Sequence, residues 1–374
     1  MLYKNAMLFR GDRFAPGSFR VEDGVFAEIL DAAPAEEGLD LNGAPVIPGL
    51  VDIHTHGNSG ADFSDGDYEG LKRMAAYSAR CGVTSFAPTS MTLPYETLAR
   101  AFATGRRLAD EQPAGCARLM GIHMEGPFFS EKKKGAQNAA YLRLPDAEAF
   151  RKLYEDCGGL IRIADVAAEL AGAGDFARAV SALCVVSVAH TDADYEAACR
   201  VFDAGASHVT HLFNAMPPLH HRKPGVIGAA AEREGVVAEL IGDGLHIHPS
   251  VIRLAFRLFP ERLCIISDSL RCCGMPDGEY ELGGQPIWLK GRLATLADGT
   301  IAGSASTLYD CLLTVIGCGV PREQAIRAAT ILPARELGCA DRIGSLEAGK
   351  LADFVVCGPA LERRAVFLGG ERIS

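Results

Sequence analysis

Two histidines two residues apart, His54 and His56, close the apolar run VIPGLVDIHTHG. On a β-strand, positions i and i+2 point to the same face, so both imidazoles look into one space. Convergent imidazoles at a strand end are the start of a divalent metal site. An isolated His-x-His is more often a pair on a half-buried strand, so the partners decide. Further along the chain, apolar runs end in His123-Met124-Glu125, in His190-Thr191-Asp192, in His211-Leu212-Phe213-Asn214, in Asp243-Gly244-Leu245-His246 and in Ser267-Asp268. Two histidines and one carboxylate around an ion leave a position open for water, the pattern of catalytic rather than structural zinc. One more carboxylate nearby would serve as the base that takes the water's proton.

Such groups need a frame that gathers many strand ends on one rim. The middle of the chain alternates strand-like runs with amphipathic segments such as Tyr68 to Arg80 and Asp194 to Ala204. Eight apolar runs, each followed by helix or loop, are the pattern of a (β/α)8 barrel, whose active sites lie at the C-terminal strand ends. A doubly wound nucleotide-binding sheet is disfavoured, because no G-x-G-x-x-G follows the first strand. Short strand-like pieces before residue 48 and after the turn GSLEAGK at 344 predict that both chain ends build one accessory β-sandwich. The expected fold class is therefore α/β: a barrel over residues 49–343 with a β-domain from 1–48 and 344–374.

Composition narrows the function classes. With 374 residues, 48% apolar, 22% charged and a net charge of −10, the chain lacks the basic footprint that nucleic acid requires. A small anion remains compatible with it. No apolar window is long enough to span a membrane, and the N-terminus is too short and polar for a secretory signal. Twelve cysteines without a C-x-x-C pair read as reduced thiols, hence a cytoplasmic protein.

The stretches PGLVDIHTHG, HMEGPFF, KKKGAQN, AHTDADY, THLFNAMPPLHHRKPG, DGLHIHP, SDS, IAGSAS and SLEAGKLADFVV run through nearly the whole chain. Together they resemble the amidohydrolase superfamily and, within it, the N-acetylglucosamine-6-phosphate deacetylases. HMEGPF and THLFNAM are the most specific, since related hydrolases carry a carbamylated lysine where Glu125 stands.

The resemblance implies hydrolysis of an N-acetyl amide on a small amino sugar phosphate. Glu125, His190 and His211 match the ligands of the main metal, and Asp268 the aspartate that activates water and later protonates the amine. Asn214, Ala215 and His246 match substrate contacts, and Arg222 matches a phosphate-binding arginine that in the family reaches across a homodimer interface. Ala136 and the backbone of Ile301, Ala302 and Gly303 match further lining positions. Some members lack the first-strand histidines and hold one ion; with His54 and His56 present, one or two ions are expected here. Zinc comes first among the metals, with iron, manganese and cobalt also suited to this donor set. Gln137 stands where some relatives carry a histidine proposed to polarise the acetyl carbonyl; an amide can donate a hydrogen bond but cannot titrate.

Two other readings stay open. One is a deacetylase of another N-acyl amino sugar phosphate, such as N-acetylgalactosamine 6-phosphate. The other is a silent barrel used for assembly, which would normally have lost its ligands. Among the remaining groups, His123 is either packing or a support beneath Glu125, and His208 reads as structural. His220, His221, His248 and Lys132 to Lys134 read as loop and surface residues, and Asp192, Asp194 and Asp203 as helix-start and surface carboxylates.

Overall fold

A computed structural model describes residues 1–374. The fold is mixed α/β, with parallel strands and helices in the middle and antiparallel strands at both ends. Eight segments, Leu50–Thr55, Val83–Pro88, Ile122–Met124, Ile161–Val166, Val185–Val188, His208–Val209, Val237–Ile241 and Leu263–Ile266, pair in parallel with their neighbours in chain order. Two isolated parallel bridges, Thr89 with His123 and Thr55 with Ser269, join the first two strands to the other six at either edge. The Asp268 amide also donates to the His54 carbonyl at 2.9 Å, so the first and last of these strands run side by side. All of Leu50–Thr55, Val83–Pro88 and Leu263–Ile266 are buried, as parallel strands covered on both faces must be.

Helices follow the strands and cover them. Tyr68–Arg80 starts where the Asp67 carboxylate accepts from the amides of Glu69 and Gly70, and Tyr195–Asp203 starts where Asp194 accepts from Ala197. Both are N-caps that occupy otherwise orphaned donors, and both spans agree with the amphipathic segments read from the sequence. Asp203 is tied to Arg233 at 2.9 Å on the surface.

The chain ends share one sheet. Its order is Glu371–Arg372, Arg363–Leu368, Phe354–Cys357, Pro45–Pro48, Leu2–Phe9, Phe14–Glu22 and Val25–Leu30, with Leu39–Asp40 beside Leu2–Phe9. Tyr3 stacks on Phe19 at 4.8 Å and Phe354 on Phe367 at 4.4 Å, and these rings form a separate aromatic core with Phe26.

One sheet escaped the sequence reading. Gly278–Leu282, Gln285–Lys290, Leu293–Thr295 and Ile301–Ser304 form an antiparallel meander between the eighth parallel strand and Leu308–Gly317. Its alternation E-Y-E-L, then Q-P-I-W-L-K across a Gly-Gly turn, is a hairpin pattern. It packs over the strand ends on Met91, Leu270 and Cys272.

Candidate active site and metal centre

The C-terminal ends of the parallel strands open into a cavity of about 220 Å³. Its lining includes His56, Glu125, Ala136, Gln137, His190, His211, Asn214, Ala215, His246, Asp268, Ile301 and Gly303. Three other expected residues lie elsewhere. His54 is fully buried directly behind the lining. The side chain of Ala302 turns into the small meander's core. Arg222 projects from an exposed loop, its Nη1 2.7 Å from His221 Nε2.

At the cavity floor, Glu125 Oε1 lies 3.1 Å from both His190 Nε2 and His211 Nε2, and these nitrogens are 3.1 Å from each other. Ligand atoms about 2.0–2.1 Å from a tetrahedral ion are separated by roughly 3.3 Å, so this triangle fits a zinc-sized cation. His190 Nδ1 faces the Lys133 carbonyl at 2.8 Å, which makes that nitrogen the donor and leaves Nε2 with its lone pair toward the triangle. Phe129 stacks on the His190 ring at 4.4 Å and fixes its plane. Burial raises the Glu125 carboxyl, but the imidazoles of His190, His211, His54 and His56 gathered around it more than reverse this and hold it well below the ordinary carboxylate range.

A second buried group joins His54, His56 and Asp268, whose ligand atoms also converge. Asp268 Oδ1 is 3.3 Å from His56 Nε2 and 3.5 Å from His54 Nε2. His56 Nδ1 faces the Thr89 carbonyl at 3.2 Å, which again aims Nε2 at the cluster. Burial disfavours the charged His56 ring, yet the hydrogen bond to Asp268 and the charge of Glu125 lift it to about 9. Burial raises the Asp268 carboxyl, but the nearby His54 and His56 lower it below its usual value, so it stays ionised.

A third convergence, His54, His123 and Glu239, is not a metal site by its chemistry. Both His123 nitrogens face acceptors, the Ile53 carbonyl at 3.0 Å and Asp165 Oδ1 at 2.9 Å, so neither has a lone pair to offer. His123 is thus a buried brace beneath the site. His208 is also structural, held between Glu239 at 3.3 Å and Glu336 at 2.8 Å.

The backbone at these positions is unusual. His190, His211 and Asp268 have φ of 43°, 31° and 48°, in the left-handed region that non-glycine residues avoid. Each costs on the order of 1–3 kcal/mol and persists only where the surroundings over-determine it, as functional sites do. Gly303 has φ of 52°, and a Cβ there would come within 2.9 Å of the Asp268 main-chain carbonyl, so glycine is required for the close approach of these two stretches of backbone.

The Gln137 amide is engaged at both ends. Its Nε2 donates to Glu125 Oε2 at 2.6 Å and its Oε1 accepts from the Thr92 amide at 2.8 Å. In this arrangement it supports the carboxylate of the triangle, at the position where some relatives carry a histidine. His246 Nδ1 is held by Asp243 Oδ2 at 2.8 Å, which leaves Nε2 toward the cavity. Sequence reasoning missed Glu239 altogether, although a glutamate inside the apolar run V236-V-A-E-L-I was its signal.

Comparisons with known proteins identify the family. Residues 46–373 match the amidohydrolase family model. An N-acetylglucosamine-6-phosphate deacetylase of Bacillus subtilis is 38% identical over 91% of this chain and 88% of its own length. An N-acetylgalactosamine-6-phosphate deacetylase of Escherichia coli O157:H7 is 32% identical, covering 95% and 94%. The solved structure of a Mycobacterium smegmatis N-acetyl-D-glucosamine-6-phosphate deacetylase variant, in complex with N-acetyl-D-glucosamine-6-phosphate, superposes with a TM-score of 0.94 at 33% identity, covering 100% of this chain and 99% of that one. The chain belongs to the amidohydrolase family.

Proposed function

We propose that the chain hydrolyses the N-acetyl amide of N-acetylglucosamine 6-phosphate to glucosamine 6-phosphate and acetate. The observation that carries this reading is the triangle of Glu125, His190 and His211 with Asp268 beside it, at the floor of a cavity in a chain similar over its length to named deacetylases. Glu125, His190 and His211 hold one divalent ion, zinc first. His54, His56 and Asp268 provide for a second, more weakly held one. When bound, the metal supplies Lewis acidity that activates water and polarises the acetyl carbonyl.

The protein's own groups do the rest. Ionised Asp268 takes the proton from the attacking water and then carries it to the leaving amine. Glu125 stays fixed through Gln137. His246, held by Asp243, turns the Nε2 acceptor toward the substrate, and Asn214 and Ala215 line the sugar phosphate. Arg222 takes the phosphate from the neighbouring subunit of a homodimer, which accounts for its distance from its own cavity.

The eight parallel segments form one closed (β/α)8 barrel over residues 49–343. Residues 1–48 and 344–374 form the accessory β-sandwich. All twelve cysteines are free, and no helix is long and apolar enough to cross a membrane. The thiols support a cytoplasmic location.

A second reading, removal of acetyl from N-acetylgalactosamine 6-phosphate, is favoured by one observation, the similarity to the E. coli O157:H7 enzyme of that name. The test is acetate release from both epimers and from unphosphorylated N-acetylglucosamine, with metal counted in the same preparation. Fast release from the gluco phosphate alone is expected. Preference for the galacto epimer would move the assignment to the second reading, and no release from either with metal bound would refute both.

A further inference from the structure

Among the imidazoles gathered around Glu125 and Asp268, three have the nitrogen remote from the cluster held by an acceptor. For His56 and His190 the acceptors are main-chain carbonyls, those of Thr89 and Lys133. His54 differs: its Nδ1 lies 2.9 Å from a side chain, Glu239 Oε2. Glu239 is fully buried in the middle of Val237–Ile241. The same Oε2 accepts from the His211 main-chain amide at 3.2 Å, and the other oxygen faces His208 Nε2 at 3.3 Å. A carboxylate in an apolar strand is costly unless its partners require it. Here the partners are one imidazole from the second cluster, the backbone of a residue in the first, and a histidine that braces it from below.

We infer that Glu239 is the positioning residue of the His54 site. It fixes the His54 proton on Nδ1, turns the Nε2 lone pair toward His56 and Asp268, and so governs how tightly that cluster holds its ion. Two further observations support this. His54 Nε2 is buried without a hydrogen-bond partner, as expected of a lone pair reserved for a cation. It also points at Asp268 and Glu125, at 3.5 and 3.7 Å, and away from the interior. Being anionic, Glu239 makes the ring a stronger donor than a carbonyl partner would. The inference deepens the reading of His54 as a ligand and rests on it.

The test is a zinc titration of the full-length chain, read as ions per chain and the affinity of each. Wild type is compared with Glu239→Gln, which keeps an acceptor but loses the charge, and Glu239→Leu, which loses both. Each is repeated in a His54→Asn background, and histidine ¹⁵N NMR of the wild-type chain before zinc reports where the His54 proton sits. We expect the weaker ion to lose about tenfold affinity in Glu239→Gln and about a hundredfold in Glu239→Leu. The tighter ion should be retained, neither substitution should matter once His54 is gone, and the wild-type proton should be on Nδ1.

The inference is overturned if the weaker affinity stays within about twofold, if the loss is equally large in the His54→Asn background, or if the proton is on Nε2. Should neither variant fold, the wild-type spectrum decides alone. A wild type that takes only one ion would refute the second ion of the proposed function and the role inferred for Glu239 with it, whereas two ions held equally well by wild type and Glu239→Leu would overturn the inference alone.

Discussion

His190 Nε2 and His211 Nε2 lie 3.1 Å apart, and the His190 ring spends its proton on the Lys133 carbonyl. A lone pair facing another imidazole nitrogen beside a carboxylate is an arrangement that a cation relieves. Treatment with a strong chelator should therefore abolish acetate release, and added zinc should restore it. Glu125→Ala should bind the tighter ion at least about a hundredfold more weakly, since a direct ligand counts for more than the 10–100-fold of an outer partner. Metal content by plasma emission checks both, and full activity in the metal-free protein would sink the reading.

Asp268 is the carboxylate that joins His54 and His56 in the second cluster, and these imidazoles keep it ionised. Replacing it with asparagine preserves shape while removing the base. Asp268→Asn should lower turnover by about 10²–10⁴-fold, the usual span for a general base, with substrate affinity and the tighter ion nearly unchanged. Turnover within tenfold of wild type would rule out its acid–base role.

Arg222 stands away from its own cavity on an exposed loop. If it grips phosphate across a subunit boundary, Arg222→Ala should raise KM by about 10–100-fold, the loss of a charge-assisted pair, with little change in kcat. The effect should vanish for the unphosphorylated sugar. Sedimentation in parallel should find dimers, and a monomeric active enzyme would contradict this use of the residue.

His208 gives a pH-dependent term that involves no ligand exchange. Burial disfavours its charged form, but the carboxylates of Glu239 and Glu336 on either side outweigh this and push it up to about 10. Its ordinary value is near 6.5. A raised folded value means stability that is fully present below about 6.5 and is lost as pH rises toward 10. The Tm of the zinc-loaded enzyme should fall across that window, and His208→Gln should flatten the fall. An equal slope in the variant would show that His208 is not its source.

How much of this could be read beforehand depends on which signals are local. The pairing of His54 with His56 follows from strand period alone, and the helix starts at Asp67 and Asp194 from capping chemistry. Glu239 was hidden because its neighbours Val236, Val237 and Leu240 make the run look like core, and its partners lie 28 and 185 residues away. The bond from Gln137 to Glu125 was equally unreadable, since it depends on how the loop before Asn138 folds back. The left-handed backbone at His190, His211 and Asp268 leaves no mark on a sequence of ordinary side chains. The meander at 278–304 did leave one, the alternation on either side of Gly283-Gly284.

The terminal sheet bears on how the protein is made. Pro45–Pro48 lies between Leu2–Phe9 and Phe354–Cys357, and Phe354 caps the rings of Tyr3 and Phe19. During synthesis the N-terminal strands leave the ribosome long before their closing partner exists. At roughly 5–20 residues per second the wait is tens of seconds. For that interval an aromatic face and an unpaired strand edge are open to other nascent chains and to chaperones, so the first thirty residues cannot complete their fold until nearly the last have been joined.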